Sequence, residues 1–214
     1  MNGVVIKRSS EEERVNAATH LLGAVLALVG LAWMVVRLSA DWQSTSGIAC
    51  VVYAFLLVLV YAMSTLSHWF DDEENLERYR ALDQASIFLL ITGTYTPLSV
   101  HFWDGFVANG LLITMWAISI TMFVAKAFFS HRVDRVSVVG YVALGWMPII
   151  GLPFHDHWPV EPMLWMLAGG IVYSLGVVFL LNDQKAKWCH PVWHLSVVVA
   201  SAIHFAAIAK FVVN

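Results

Sequence analysis

Three histidines, an aspartate and a serine in this chain have the types and spacings that metal-assisted chemistry requires. Ser64 and His68 are four residues apart, as are His190 and His194 in the run HPVWH, and Asp83 lies between the two pairs in the sequence. Residues at i and i+4 share one helix face, so each pair can present its groups together. They sit at the ends of apolar segments, where an imidazole is costly and rarely placed without a task. Three imidazoles with one open position are a common way to hold a catalytic zinc ion, with Zn–N of about 2.0–2.1 Å. A water in the open position has its pKa lowered toward about 7. Asp83 could hold or deprotonate that water, or orient a histidine from behind. Ser64 could donate a hydrogen bond to the water or to a substrate carbonyl. Three imidazoles also suit copper, nickel or iron.

Whether these groups meet depends on the elements that carry them. Of the 214 residues, 59% are hydrophobic and only 13% charged, against about 25% charged in an ordinary soluble domain. A polytopic membrane domain is the natural class. The net charge of −3 argues against a nucleic-acid partner. The expected partners are membrane lipids and a lipid-like substrate. Apolar stretches near 17–37, 46–67, 83–100, 106–127, 136–153, 162–181 and 191–212 approach the length of about 20 residues that a span needs. The expectation is an all-α, seven-transmembrane-helix bundle over 17–214, preceded by a cytoplasmic N-terminal segment over 1–16.

Local chemistry refines this picture. The fifth stretch is short and holds Gly140, Gly145, Pro148 and Gly151, which predicts a kink or tilt. Gly93 and Pro97 predict a bend near the far end of the third. Glu11, Glu12 and Glu13 precede the first apolar run. With the length of that run, they favour a retained helix over a signal peptide. Cys50 and Cys189 fall near opposite faces, too far apart for a disulfide.

Orientation follows from the basic residues. With the N-terminus inside and the C-terminus outside, the inner segments hold Lys7, Arg8, Arg14, Arg78, Arg80, Lys126, Arg132, Arg135, Lys185 and Lys187. The outer segments hold only Arg37 and Lys210, as the positive-inside rule asks. Trp103 and Trp158 then fall in outer loops and Trp69 and Trp188 in inner ones, as interfacial anchors. His68 ends the second helix, Asp83 begins the third, and His190 and His194 begin the seventh. All four therefore reach the cytoplasmic side at similar depth. Pro191 suits the first turn of the seventh helix, with His190 at its N-cap.

The remaining polar groups read more plainly. A lone membrane histidine is usually a helix–helix hydrogen bond, and His204 is taken as one. His155, Asp156 and His157 read as a solvated loop, and His101 and His131 as interfacial or loop residues. Cys189 adjoins His190, but neighbouring side chains on a helix point apart, which disfavours it as a ligand. Glu13, Asn16 and His20, with Thr19 beside them, form a polar face at the cytoplasmic end of the first helix. That face is either a hydrogen-bonded cap on the bundle or an outer shell of the histidine site. Asp71 to Glu74, with Glu77, reads as a solvated loop.

At these residues the chain resembles the hemolysin III family, within the superfamily of progestin and adiponectin receptors. The resemblance rests on E-x-x-N-x-x-T-H at Glu13 to His20, S-x-x-x-H at Ser64 to His68, and Asp83 with the IFLLITGTYTP run that follows. GWMPIIG in the fifth helix and H-x-x-x-H at His190 to His194 complete it. It implies a seven-helix bundle with a cytoplasmic-side zinc bound by His68, His190 and His194, and Asp83 contacting the zinc-bound water. It points to hydrolysis of lipid amides, to a role in membrane lipid or energetic balance, and to the bacterial cytoplasmic (inner) membrane. Gln84 stands where the family often has a histidine. The long N-terminal domain of the animal receptors is absent, so hormone signalling is not carried over.

Three functions compete. One is a zinc-dependent hydrolase of lipid-like amides or esters, with Asp83 and Ser64 catalytic. The second is a membrane sensor or homeostasis regulator with a structural zinc. The third is a pore or cytolysin, which the apolar spans disfavour because they carry no repeated charged stripe.

Overall fold

The computed structural model describes residues 9–40, 43–70, 72–103, 105–129, 134–154 and 159–213. All of the regular structure among them is helical. The helices are α1 (Ser10–Arg37), α2 (Thr45–Trp69), α3 (Glu73–Phe102), α4 (Phe106–Phe129), α5 (Asp134–Trp146), α6 (Val160–Leu180) and α7 (Cys189–Ile208). A 3-10 segment (Met147–Phe154) prolongs α5, and a π turn (Ala209–Val213) closes α7. Six helices are long and apolar enough to cross a membrane, and Val138–Gly151 is a shorter apolar helix. Helices suit this role because they satisfy every backbone polar group internally.

Chain neighbours pack in antiparallel pairs, α1 on α2, α2 on α3, α3 on α4 and α6 on α7, and α1 also meets α7. On α1, Leu22, Val25, Leu26, Val29 and Val36 are exposed; at this spacing they form one outward stripe, the lipid-facing side of a membrane helix. The opposite face buries Ala17, His20, Ala24, Ala27 and Met34. Polar side chains tie helices from within. Thr92 and Ser119 hydroxyls lie 2.6 Å apart between α3 and α4, and Tyr173 and Ser201 hydroxyls 2.6 Å apart between α6 and α7. Such bonds contribute about 0.6 kcal/mol each on average inside a membrane. His204 Nε2 lies 3.0 Å from the Met166 carbonyl. This is the interhelical hydrogen bond expected of a lone imidazole. Gly169 makes it possible, because a Cβ there would strike the His204 ring.

Several boundaries differ from the sequence reading. α1 begins at Ser10, inside the segment read as preceding the bundle, because Ser9 and Glu12 form a capping box. α3 begins at Glu73, with Asp72 as its N-cap. Asp83 is therefore well inside a helix, and Glu74 and Glu77 are exposed on its first turns instead of lying in a loop, while Asp71 lies outside the described residues. The helix nonetheless brings Asp83 level with Ser67, whose hydroxyl is 3.3 Å from its carboxylate. α3 runs on through Pro97. The fifth stretch, whose proline and glycines predicted a kink or tilt, changes from α to 3-10 geometry at Met147–Pro148. α7 starts two residues early, with Trp188 at the N-cap and His190 in the first turn. Pro191 stays within the first turn, where a backbone N–H needs no partner in the helix. Trp103 is 9% exposed and stacks on Tyr95, so it is a packed residue and not an interfacial anchor. Trp69 and Trp188 are exposed. Lys126, at the end of the stretch read as the fourth helix, is buried in the last turn of α4. Both cysteines are free thiols. His131, Arg132, His155, Asp156, His157 and Trp158 lie outside the described residues.

Candidate metal centre

The last turn of α2 and the first turns of α7 converge, and they bring His68, His190 and His194 together. One ligand nitrogen from each lies within 4.8 Å of the others. His194 is buried, and the His68 side chain is only 3% exposed. Nε2 of His68 and Nε2 of His190 are 3.3 Å apart. Two nitrogens bound tetrahedrally to one zinc at about 2.0–2.1 Å would be about 3.3–3.4 Å apart.

The outer nitrogens decide how this close approach should be read. His68 Nδ1 is 2.5 Å from a carboxylate oxygen of Glu13. His190 Nδ1 is 3.0 Å from a carboxylate oxygen of Asp183. His194 Nδ1 is 3.3 Å from the Asn16 carbonyl. Carboxylates and carbonyls only accept, so each Nδ1 carries a hydrogen, and the Nε2 atom of each ring is the one turned toward the other two histidines. Two Nε2 atoms facing each other at 3.3 Å need a cation between them, and a metal ion bound by both meets that need. Carboxylate–histidine pairs of this kind fix the tautomer and ring angle of metal ligands and raise their basicity. The donor set therefore fits a divalent metal held by His68, His190 and His194.

The polar face of α1 is the outer shell of this cluster. Glu13 holds His68 and the Asn16 carbonyl holds His194. The His20 ring stacks on His194 with centroids 3.6 Å apart and planes at 11°. Its Nδ1 is 2.6 Å from Ser64 Oγ. Thr19 Oγ1 is 3.5 Å from His194 Nδ1. Spacing placed these residues on one face but left open which partner that face met.

Ser64 and Asp83 are not among the three converging ligands. Both line a cavity of about 700 Å³ that also touches His20, His190 and His194. It runs on past Gln84, Tyr141, Trp146 and Tyr173. Its size and apolar walls suit a ligand with a long hydrocarbon part. Gln84 belongs to the cavity wall, and its backbone carbonyl accepts from Tyr141 at 2.7 Å. Cys189 is half-buried and outside the ligand group. His101 is exposed near the end of α3, with Nδ1 3.5 Å from Ser46 Oγ. Sequence reasoning missed Asp183. Its one signal is that it is the sole acidic residue in the connection from Leu181 to Trp188.

A bundle of apolar helices closed around a three-histidine centre defines the class, an integral membrane protein with a candidate metal site. The family model described as Haemolysin-III related matches residues 8–205. The chain is 32% identical to Hemolysin-3 of Bacillus cereus, over 94% of this chain and 92% of that protein. It is 28% identical to the Hemolysin-3 homolog of Bacillus subtilis, over 95% and 96% respectively. It is also 26% identical to the human monocyte to macrophage differentiation factor, over 96% and 86%. The chain belongs to the haemolysin-III related family.

Proposed function

We propose that this protein is a zinc-dependent hydrolase of lipid-like amides or esters, acting within the bacterial cytoplasmic membrane. The observation that carries the reading is the pair of facing Nε2 atoms of His68 and His190, each ring held by a carboxylate at Nδ1. Zinc held by His68, His190 and His194 would supply a nucleophile at neutral pH and a Lewis acid for a carbonyl.

The chain's own groups divide the remaining work. Asp83, on the cavity wall and hydrogen-bonded by Ser67, takes the proton of the attacking water and passes it to the leaving amine or alcohol. Ser64 faces the same cavity. With His20 Nδ1–H donating to Ser64 Oγ, the serine proton is left for the substrate carbonyl oxygen. The apolar walls hold the hydrocarbon chain and exclude water. The seven-span arrangement over 17–214 and the cytoplasmic N-terminus complete the proposal. The bias of ten basic residues to one side against two to the other supports that orientation.

The test is turnover of a panel of lipid amides and esters by purified protein, read by mass spectrometry. Wild type cleaves at least one substrate, and His194→Ala loses both metal and turnover. Asp83→Asn keeps its metal and loses turnover by about 100-fold or more, in line with the loss of a general base. Turnover that survives metal removal, or an Asp83→Asn protein as active as wild type, overturns the hydrolase. The second of these results would leave a structural metal in a membrane sensor.

A further inference from the structure

α7 carries His190 and His194, yet it starts with no side-chain cap of its own. Its N-cap, Trp188, has φ 67°, the one positive φ outside glycine among the described residues. A bulky residue in the left-handed region is a genuine outlier and persists only where its surroundings hold it. The Trp188 ring does not supply that hold, since the residue is 43% exposed. Its backbone N–H donates to Glu12 Oε1 at 3.0 Å, across 176 positions of sequence. The other Glu12 oxygen accepts from the Ser9 N–H at 3.2 Å and lies 3.1 Å from Ser9 Oγ. Glu12 itself is 6% exposed. One buried carboxylate thus caps its own helix and the start of α7.

The neighbouring residue extends the same geometry. Glu13 takes His68 Nδ1, while Glu12 fixes the chain two residues before His190. Consecutive glutamates of α1 therefore hold the two ends from which the facing histidines project. We propose that Glu12 is a positioning residue for the metal centre: by capping α7 from α1, it sets His190 at coordinating distance from His68. This rests on the reading of the histidines as metal ligands. Glu12 touches neither metal nor substrate; it acts through Trp188 and the first turn of α7.

The test uses Co²⁺ as a probe on the full chain in detergent. The dissociation constant comes from chelator competition, and the visible ligand-field spectrum reports coordination geometry. Glu12→Ala binds Co²⁺ about 10–100-fold more weakly, the range for supports behind ligands, and its spectrum is altered. Glu12→Gln keeps a carbonyl acceptor for the Trp188 N–H and stays within a few-fold of wild type. Glu12→Ala/Trp188→Gly recovers part of the loss, because glycine adopts the left-handed conformation without penalty. A Glu12→Ala protein with wild-type affinity and spectrum overturns the proposal. So does a Glu12→Gln protein that binds as weakly as His190→Ala, and this second variant decides the matter if Glu12→Ala fails to fold. A wild type that binds no Co²⁺ instead overturns the metal reading itself.

Discussion

Replacing Glu13 by alanine removes the partner of His68 Nδ1 and with it the contact that fixes the orientation of the ring. The contact is short at 2.5 Å, and the His68 side chain is 3% exposed, so water cannot easily take over. Loss of a carboxylate behind a ligating histidine typically weakens metal binding 10–100-fold, or about 1.4–2.8 kcal/mol. Glu13 also lies 3.9 Å from the Arg80 guanidinium, but that pair is solvent-exposed on the arginine side. Such a pair contributes only about 0–1 kcal/mol, so the histidine contact dominates. Glu13→Gln keeps an acceptor but drops the charge. Because charge-assisted bonds are roughly twice as strong as neutral ones, its loss is expected near the lower end, about tenfold. Zinc competition with a fluorescent chelator, on protein in detergent, measures all three variants against wild type. The expected order of affinity is wild type, then Arg80→Ala, Glu13→Gln and Glu13→Ala. Wild-type affinity in Glu13→Ala, or a loss in Arg80→Ala as large as in Glu13→Ala, would refute the reasoning.

Other consequences follow from single contacts. Gly169→Ala places a methyl group against the His204 ring, which breaks the bond to Met166 and destabilises the α6–α7 pair by about 1–3 kcal/mol, the usual range for overpacking; thermal unfolding in detergent should show a lower midpoint, and an unchanged midpoint contradicts it. Asp72 accepts from the Asn75 backbone N–H at 3.0 Å, which holds its carboxyl below the usual aspartate range. A lowered pKa in the folded chain means that the cap's stabilisation is present above the ordinary aspartate pKa and is lost as pH falls through the folded value. Amide exchange at Asn75, corrected for intrinsic rates, should therefore accelerate in acid, and Asp72→Ala should abolish that dependence.

Much of the bundle and the convergence of the three histidines was legible because both rest on regular periodicity. Runs near 20 apolar residues mark helices, and the i,i+4 pairs Ser64/His68 and His190/His194 share faces whatever surrounds them. That the helix is irregular around Met147–Pro148 was legible for a similarly local reason, since proline and clustered glycines disrupt a helix wherever they stand. The start of α3 was not, because residues 73–82 are rich in charge, and the half-buried Leu76, Tyr79 and Leu82 are too few among them to read as part of an apolar span. The true start of α7 was hidden because its cap comes from Glu12, 176 residues away. Asp183 was missed for a related reason: a residue in a connection has no periodicity, and only the fold brings it to His190. The face of Glu13, Asn16 and His20 was visible as a face, but its target depended on which helix α1 met. Trp103 had the composition of an anchor, and only packing against Tyr95 shows otherwise.

Metal content of the detergent-purified protein, by elemental mass spectrometry, bears most directly on the central claim. Wild type should carry near-stoichiometric zinc, and folded His190→Ala and His194→Ala variants should carry almost none. A folded wild-type protein without metal, or variants that keep it, would contradict the claim and leave the histidines as polar contacts between helices.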